Sequence, residues 1–296
     1  MFLRSGARGE EVKSVQEVLA RLRYGPGAVD GVYGGKTEDA VIRFQEDHGL
    51  YADGIVGPTT WGVLQRALEI EDDEQVEPLP EDPDGAGLME WVRVPADAYR
   101  DGYDRFLLRE DAAAAYLRVR SKVLEAGGVL TSSGGRRSLN ASVGAARSAT
   151  SFHYTGRALD LFVGSGMENR ARDPFVVAAD DDRYWRVYAR ADGGDPMEVE
   201  AVTYGSRRRG RLVSGRFLDL TALFESEGFA RIRARKSFFG GGTWLGAEWW
   251  HFQYQGGLEA GISTFGGELL KVYTEDELRM TPPWRYRNRV FGVNWF

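Results

Sequence analysis

Two of the chain's three histidines lie beside carboxylates in short polar motifs. Ser-Phe-His-Tyr-Thr-Gly-Arg-Ala-Leu-Asp contains His153 and Asp160, and Glu-Trp-Trp-His contains Glu248 and His251. Two imidazoles and an aspartate supply three nitrogen or oxygen ligands, which suits a catalytic zinc ion with its fourth position open to water. Glu248 is then a spare carboxylate near that water, suited to act as general base and later as proton donor. The alternative is that both histidines are hydrogen-bonded core residues among the neighbouring aromatic side chains.

The spacing of these residues restricts the backbone that can bring them together. His153 and Asp160 are seven positions apart, so a single straight strand would point them to opposite faces. The Thr-Gly pair between them supplies a turn that lets both side chains reach one point. Glu248 and His251 are three positions apart and meet the same difficulty. The chain must therefore bend at Glu248 before a strand begins, and a regular strand over 247–254 would argue against the site.

The elements that must position these residues lie in 88–296. Strand and helix patterns follow one another irregularly there, which predicts an α+β fold with a central antiparallel sheet. Two of the strands form an antiparallel pair around an Asp-Gly-Gly-Asp turn. The predicted elements are helices over 111–126 and 220–227 and strands over 129–131, 158–163, 183–190, 198–204 and 249–254.

An acidic, proline-containing segment separates this region from the first 68 residues. Residues 69–84 contain nine carboxylates, three prolines and no basic residue, a composition that favours a solvated spacer over a continuing helix. We therefore divide the chain into a module over 1–68, an acidic linker over 69–87 and a larger domain over 88–296.

The N-terminal module contains an imperfect repeat. Each copy has an Asp-Gly turn, a further glycine and then a threonine, Thr37 or Thr59, that could cap a helix. Apolar residues at helical spacing follow both copies and also occupy 12–22. The pattern predicts a small three-helix bundle that is too compact to hold much chemistry.

These motifs resemble two known families. The stretches VDGVYGG and ADGIVGP resemble the peptidoglycan-binding-domain type one module, which implies a three-helix cell-wall anchor over 3–68. The pattern S-x-H-x-x-G-x-A-x-D together with E-x-x-H is similar to the zinc D-alanyl-D-alanine carboxypeptidase family (LAS-type peptidases), which includes VanY-like carboxypeptidases, D-Ala-D-Ala dipeptidases and phage endolysins. That resemblance implies Zn²⁺ held by His153, Asp160 and His251, with Glu248 as the catalytic base.

The second resemblance also implies an arginine that binds a substrate carboxylate or carbonyl. The family carries it after a Ser-Gly-Tyr-like turn, and the stretch here is Ser-Ser-Gly-Gly-Arg-Arg-Ser. Arg137 fits the family's Arg-Ser pair better, while Arg136 stays a candidate. A guanidinium suits this task because it holds a carboxylate through two parallel hydrogen bonds and keeps its charge. The alternative is a solvated basic turn.

The function implied by the resemblance is a D,D-carboxypeptidase that removes terminal D-alanine from peptidoglycan stem peptides. The Glu-Trp-Trp-His ending favours this branch. The runner-up is an endopeptidase that cuts the stem or its cross-links (an L-alanyl-D-glutamate or D,D-endopeptidase, as in endolysins or effectors). An interpretation of another class is a non-catalytic cell-wall-binding protein.

Composition excludes several other classes of protein. The absence of cysteine removes disulfides, zinc–thiolate sites and cysteine nucleophiles. A net charge of −6 argues against general nucleic-acid binding, and no stretch approaches the roughly 18 apolar residues of a membrane span. Charged residues at 4, 8 and 10 do not fit a signal peptide. We expect a monomer that binds peptidoglycan in the periplasm or outside the cell, reached by an unknown export route.

Overall fold

The fold is of the α+β class, as predicted, with an N-terminal helical module followed by antiparallel sheets. The computed structural model describes residues 2–74, 87–100, 102–139, 148, 150–181, 183–205, 209–239 and 244–280. The helix Pro58–Glu74 continues through 69–74, so the expectation of a spacer without helix was wrong for these residues. The remainder of the predicted linker, residues 75–86, lies outside the described residues, and the domain boundaries stay a prediction. Across these ranges, no helix has both the length and the apolar character needed to cross a membrane.

The helices and strands have the following bounds. The helices are α1 (Glu10–Arg21), α2 (Gly35–Asp47), α3 (Pro58–Glu74), α4 (Glu110–Glu125), α5 (Leu220–Ser226), α6 (Lys236–Phe239), α7 (Phe265–Leu269) and α8 (Glu275–Met280). The strands are β1 (Trp91–Pro95), β2 (Arg105–Arg109), β3 (Ala158–Asp160), β4 (Phe175–Ala179), β5 (Trp185–Ala201), β6 (Arg211–Asp219), β7 (Phe229–Arg231) and β8 (His251–Tyr254).

Two buried glutamines explain the repeat in the N-terminal module. Gln16 on α1 donates to the aspartate of the first Asp-Gly turn at 3.2 Å and accepts the next backbone N–H at 2.8 Å. Gln45 on α2 makes the same pair of contacts with the second turn. Each amide also donates to a threonine hydroxyl, Thr37 in the first copy and Thr60 in the second. The predicted capping roles were wrong, because α2 has no side-chain cap and Thr59 lies inside α3, which begins at Pro58.

Antiparallel strands in the second part of the chain form three small sheets. They pair as β1-β2, β3-β8-β7 and β4-β5-β6 within the described ranges. The helices α4 and α5 lie where helices were predicted, over 111–126 and 220–227. The first sheet covers one side of α4, and β5 also contacts that helix.

The predicted hairpin between 183–190 and 198–204 was wrong. Both segments belong largely to the single strand β5, which pairs with β6 on either side of a bulge between Arg190 and Asp195. The Gly-Gly pair of the expected turn lies in that bulge. A Cβ on Gly194 would lie 2.5 Å from the backbone of Phe217, so glycine here permits close approach of two strands rather than a reversal of the chain.

Three other predicted strands differ from the structure. Residues 129–131 form no strand, although the next residue makes an isolated bridge with Tyr103. β3 ends at Asp160 and β8 begins at His251, so both are shorter than the predicted 158–163 and 249–254. The long apolar runs predicted longer strands because burial alone does not distinguish a strand from a buried turn. Each shortened strand has a residue of the candidate site at one end, because β3 ends at Asp160 and β8 begins at His251.

Helix α3 packs directly on the second part of the chain. Gly62 faces the ring of Phe162, and a Cβ on Gly62 would lie 2.9 Å from that ring. Thr59 donates to the Glu168 carboxylate at 2.9 Å, and Arg66 donates to a backbone carbonyl at 3.1 Å. One cluster of buried apolar residues runs through both parts of the chain. The module is therefore in contact with the domain and is not connected to it through the linker alone.

Candidate metal centre

His153, Asp160 and His251 converge on one point. Within the described ranges, they are the group whose ligand atoms lie within 4.8 Å of one another. Asp160 and His251 are direct cross-strand partners in the β3–β8 pair. Nδ1 of His251 lies 2.9 Å from Oδ1 of Asp160 and 3.3 Å from Nε2 of His153. Two imidazole nitrogens and one carboxylate brought together in this way fit the donor set of a zinc site with three protein ligands.

A tight turn brings His153 to this point. The residue lies in one turn of 3-10 helix, and the Ser151 hydroxyl accepts its backbone N–H at 3.4 Å. Gly156 ends the turn with φ +67°, and a Cβ there would lie 2.3 Å from the Trp91 ring and 2.7 Å from the Arg109 backbone nitrogen. The serine and glycine of the motif therefore have structural roles, because they form the turn that directs His153 and β3 to the same place.

We expect Gly156→Ala to destabilise the protein clearly more than Gly261→Ala. Both glycines have positive φ, +67° and +73°, so alanine costs about 1 kcal/mol of backbone strain at either position. Open space surrounds Gly261, whereas Gly156 touches Trp91 and a backbone nitrogen. Overpacking should add about 1–3 kcal/mol at Gly156 alone. Chemical denaturation of both variants measures the difference, and equal losses of stability would contradict the packing argument.

The protein environment favours a neutral imidazole at His153. Its Nδ1 is hydrogen-bonded to the backbone carbonyl of Gly135, which leaves Nε2 facing Asp160 and His251. Such a contact fixes the tautomer and ring orientation, as is usual for histidines that bind metals. Burial lowers the pKa of His153 below its ordinary value. The ring is therefore held in the form that can donate an electron pair to a metal.

The opposite protonation state is favoured at Asp160. Burial raises the pKa of this carboxyl, but its electrostatic interactions and hydrogen bonds with His153 and His251 outweigh burial and leave the pKa well below its usual range. A metal ligand of this type must be ionised. His153 and Asp160 thus have the protonation states that metal binding requires at neutral pH.

Glu248 lies at a sharp bend immediately before β8. Its φ of +56° is in the left-handed region, which is uncommon for a residue other than glycine. The His251 N–H returns to the Glu248 carbonyl at 3.3 Å, so the structure has the bend that the three-residue spacing requires. The Glu248 side chain lines the same cleft as the three ligand candidates. Burial raises its pKa, while the positive charge of Arg235 partly opposes the rise.

The two candidate arginines have different surroundings. Arg137 lines the cleft, and its backbone N–H donates to the His153 carbonyl at 3.0 Å. Its Nε is buried and has no hydrogen-bond partner among the described residues. The guanidinium of Arg136 instead lies 4.8 Å from the centre of the Trp91 ring and donates to the Tyr273 hydroxyl at 3.4 Å. Arg137 therefore lies on the cleft, and Arg136 is held away from it.

Arg235 is a cleft residue that no motif in the sequence indicated. Its Nε donates to Oε1 of Glu248 at 2.9 Å. It belongs to the stretch Arg-Ile-Arg-Ala-Arg, in which nothing distinguishes one arginine from the others. The contact with Glu248 depends on the tertiary fold and therefore had no local signal.

We expect Arg235→Met to move the acidic limb of the pH–rate profile to higher pH. The positive charge of Arg235 lowers the pKa of Glu248, so its removal raises that pKa and a higher pH is needed to ionise the base. Because Arg235 is partly exposed, solvent screens its charge and the shift should be small but measurable. Arg233→Met is the matched control, since Arg233 lies over the ring of Tyr184. An unshifted limb in Arg235→Met would show that the ion pair does not tune the base.

The cleft that contains these residues has a volume of about 330 Å³, at the lower end of the range of ligand pockets. The domain supplies most of its walls. One side, however, is formed by Trp61, Gly62 and Gln65 of α3. No pattern in the sequence indicated this contribution, because the apolar face of α3 predicted only packing within the helical bundle.

Comparison with known proteins gives independent information on both parts of the chain. Residues 8–64 match the model of the family described as "Putative peptidoglycan binding domain". A zinc D-Ala-D-Ala carboxypeptidase of Streptomyces albus G is 30% identical over 55% of this chain and 62% of its own length. The N-acetylmuramoyl-L-alanine amidase CwlL of Bacillus licheniformis is 44% identical over 21% of this chain and 19% of its own. The crystal structure of the SleB N-terminal domain shares 38% identity, covering 23% of this chain and 93% of that one, with a TM-score of 0.23.

These matches differ in how much of the candidate site they can include. The chain spans less than two thirds of the length of both curated relatives. The amidase match is 68 residues long and cannot span His153 to His251, which are 98 positions apart. The carboxypeptidase match, over 169 residues, is long enough to do so. Residues 8–64 therefore resemble the peptidoglycan-binding domain family, and over 55% of its length the chain is similar to a zinc D-Ala-D-Ala carboxypeptidase.

Proposed function

We propose that the protein is a zinc-dependent D,D-carboxypeptidase that removes terminal D-alanine from peptidoglycan stem peptides at the cell wall, in the periplasm or outside the cell. The observation that carries the proposal is the convergence of His153, Asp160 and His251 in a cleft that Glu248 also lines. Similarity to a protein named zinc D-Ala-D-Ala carboxypeptidase supports the reaction, and the peptidoglycan-binding family match supports the substrate.

The three convergent side chains, His153, Asp160 and His251, would hold the zinc ion. When bound, zinc acts as a Lewis acid and lowers the pKa of a water molecule to about 7. Glu248 then accepts a proton from the attacking water and delivers it to the leaving amine. The raised pKa of Glu248 suits both steps, since a group that accepts and then donates a proton works best with a pKa near the operating pH.

Two arginines that line the cleft would assist. Arg235 orients the Glu248 carboxylate through the hydrogen bond to Oε1. Arg137 lines the cleft and offers guanidinium donors to the terminal carboxylate or to the carbonyl of the cleaved bond. A small cleft with a cationic donor favours removal of a short C-terminal residue over cutting within a long cross-linked chain.

Mass spectrometry of defined soluble muropeptides tests this proposal. We expect pentapeptide stems to lose one terminal D-alanine, with the reaction stopped by a chelator and restored by zinc. Release of the stem at L-alanine, or opening of cross-links, would instead assign an endopeptidase activity to the same residues. No reaction with zinc bound would contradict the substrate class, and no reaction without zinc binding would favour a non-catalytic wall-binding protein.

A further inference from the structure

We propose that the N-terminal module is part of the substrate site, with Trp61 and Gln65 of α3 contacting the peptide chain of a substrate bound at the metal centre. The module would then select the substrate at the point of cleavage in addition to binding the wall. This inference rests on the proposed peptidase function, because it assigns a role in that reaction to residues outside the domain that holds the metal ligands.

One face of α3 is presented to the cleft. Gln65 follows Trp61 by four positions and Gly62 by three, so it lies one helical turn from each of them and on the same side of the helix. All three line the cleft that also contains Glu248 and the ligand candidates. Trp61 is 7% exposed and Gln65 is half-buried, as expected for residues that form the wall of a cavity rather than an open surface.

Helix α3 packs against residues that closely follow the metal-ligand candidate Asp160 in the sequence. Gly62 packs on Phe162 and Val163, where its Cβ would lie 2.9 Å and 3.4 Å from side-chain carbons. These two residues lie two and three positions after Asp160, at which β3 ends. The missing side chain at Gly62 lets the helix backbone approach the segment that leaves Asp160. The module therefore contacts residues that are only two and three positions from Asp160 in the sequence.

Polar contacts on both sides of Gly62 hold the helix in this place. On the N-terminal side, Thr59 donates to Glu168 at 2.9 Å. On the C-terminal side, the Arg66 guanidinium donates to a carbonyl at 3.1 Å and lies 5.3 Å from the centre of the Tyr103 ring. A wall fixed at both ends can present side chains to a substrate with little loss of conformational entropy.

The side chains of Trp61 and Gln65 that line the cleft suit a peptide substrate. The side-chain amide of Gln65 has both a donor and an acceptor, the combination that a peptide group requires. Trp61 adds a flat apolar surface that suits small side chains such as the methyl group of alanine. In a cleft of about 330 Å³, a peptide that reaches His153 and His251 lies against this wall.

Steady-state kinetics on a soluble pentapeptide muropeptide tests the inference. Such a substrate needs no anchoring to the wall, so a module that acts only as an anchor does not affect its hydrolysis. We expect Gln65→Leu to raise KM about three- to tenfold, the effect of one neutral hydrogen bond, with kcat changed less than about twofold. Zinc content and melting temperature should match those of the wild type. Glu46→Leu, the same kind of substitution at an exposed position of α2, should leave KM unchanged.

The outcomes separate this inference from the proposed function. An active wild type with an unchanged KM in Gln65→Leu overturns the inference alone. A wild type that binds zinc but does not hydrolyse the muropeptide overturns the proposed function and the inference with it. A raised KM with normal zinc content supports both.

A locked variant tests whether the substrate site includes α3 in its packed position. The natural chain has no cysteine, so Thr59→Cys with Glu168→Cys introduces a single pair of thiols where the native side chains are 2.9 Å apart. We expect the pair, joined by a short bifunctional thiol reagent, to retain turnover of the soluble muropeptide within about twofold. If the variant lost turnover when the two thiols were joined and recovered it when the link was cleaved, α3 would have to move away for substrate to bind. That result would overturn the proposal.

Discussion

Replacement of Glu248 by glutamine is expected to reduce kcat by about 10²- to 10⁴-fold, the usual contribution of a general acid–base group, and to leave the bound zinc at the wild-type level. Glutamine keeps the size of the side chain and can still accept a hydrogen bond from Arg235, but it cannot take a proton from water. Glu248 also lies outside the convergent ligand group. Kinetics on defined muropeptides and elemental analysis of the same sample measure the two effects together.

A matched control for this variant is Glu227→Gln. Glu227 also accepts hydrogen bonds from basic side chains, Arg118 and Lys122, but it lies on the surface beside α4. Activity and zinc content should both stay at the wild-type level in the control. Loss of zinc from Glu248→Gln would contradict the division between ligands and base, because it would make Glu248 a ligand.

Replacement of His251 by alanine is expected to remove both the metal and the activity almost completely. The variant keeps two of the three protein ligands and leaves Asp160 without its 2.9 Å partner. In the wild type, zinc should raise the melting temperature because it binds the folded state, and this increase should vanish in His251→Ala. Zinc content after dialysis and melting curves with and without added zinc measure both effects.

The third histidine supplies the control for this experiment. His48 ends α2 in the N-terminal module, where its ring stacks on Phe44 with centroids 4.1 Å apart. His48→Ala removes the same type of side chain and should cost some stability of the module without changing zinc content. Retention of stoichiometric zinc by His251→Ala would show that the metal centre is built from other residues.

The candidate site could be read from the sequence because its chemistry lies in two short motifs. His153 and Asp160 belong to one continuous motif, and Glu248 and His251 belong to another. Their spacing even predicted a bend before the final strand, and the left-handed backbone of Glu248 is that bend. The α+β class and the helices α4 and α5 were likewise predicted from local patterns.

Features that depend on contacts between distant segments could not be predicted in this way. Gly194 was interpreted as part of a turn, but it lies where β5 passes close to Phe217. Arg235 belongs to no recognisable motif, and its importance arises from its hydrogen bond to Glu248. The role that we propose for Gln65 depends on the tertiary fold in the same way. A glycine or a polar residue has the same sequence signature whether it serves a turn, a close approach or a cavity wall.

The packing of Gly62 on Phe162 has a consequence for recombination and engineering. Phe162 is 1% exposed and Val163 is 4% exposed, and α3 provides part of their cover. A chimera in which another wall-binding module replaces residues 1–68 would uncover this apolar surface and favour aggregation. A successful exchange would need a donor helix with a small residue facing Phe162, so the two halves of this protein are expected to be inherited, and to be redesigned, as a matched pair.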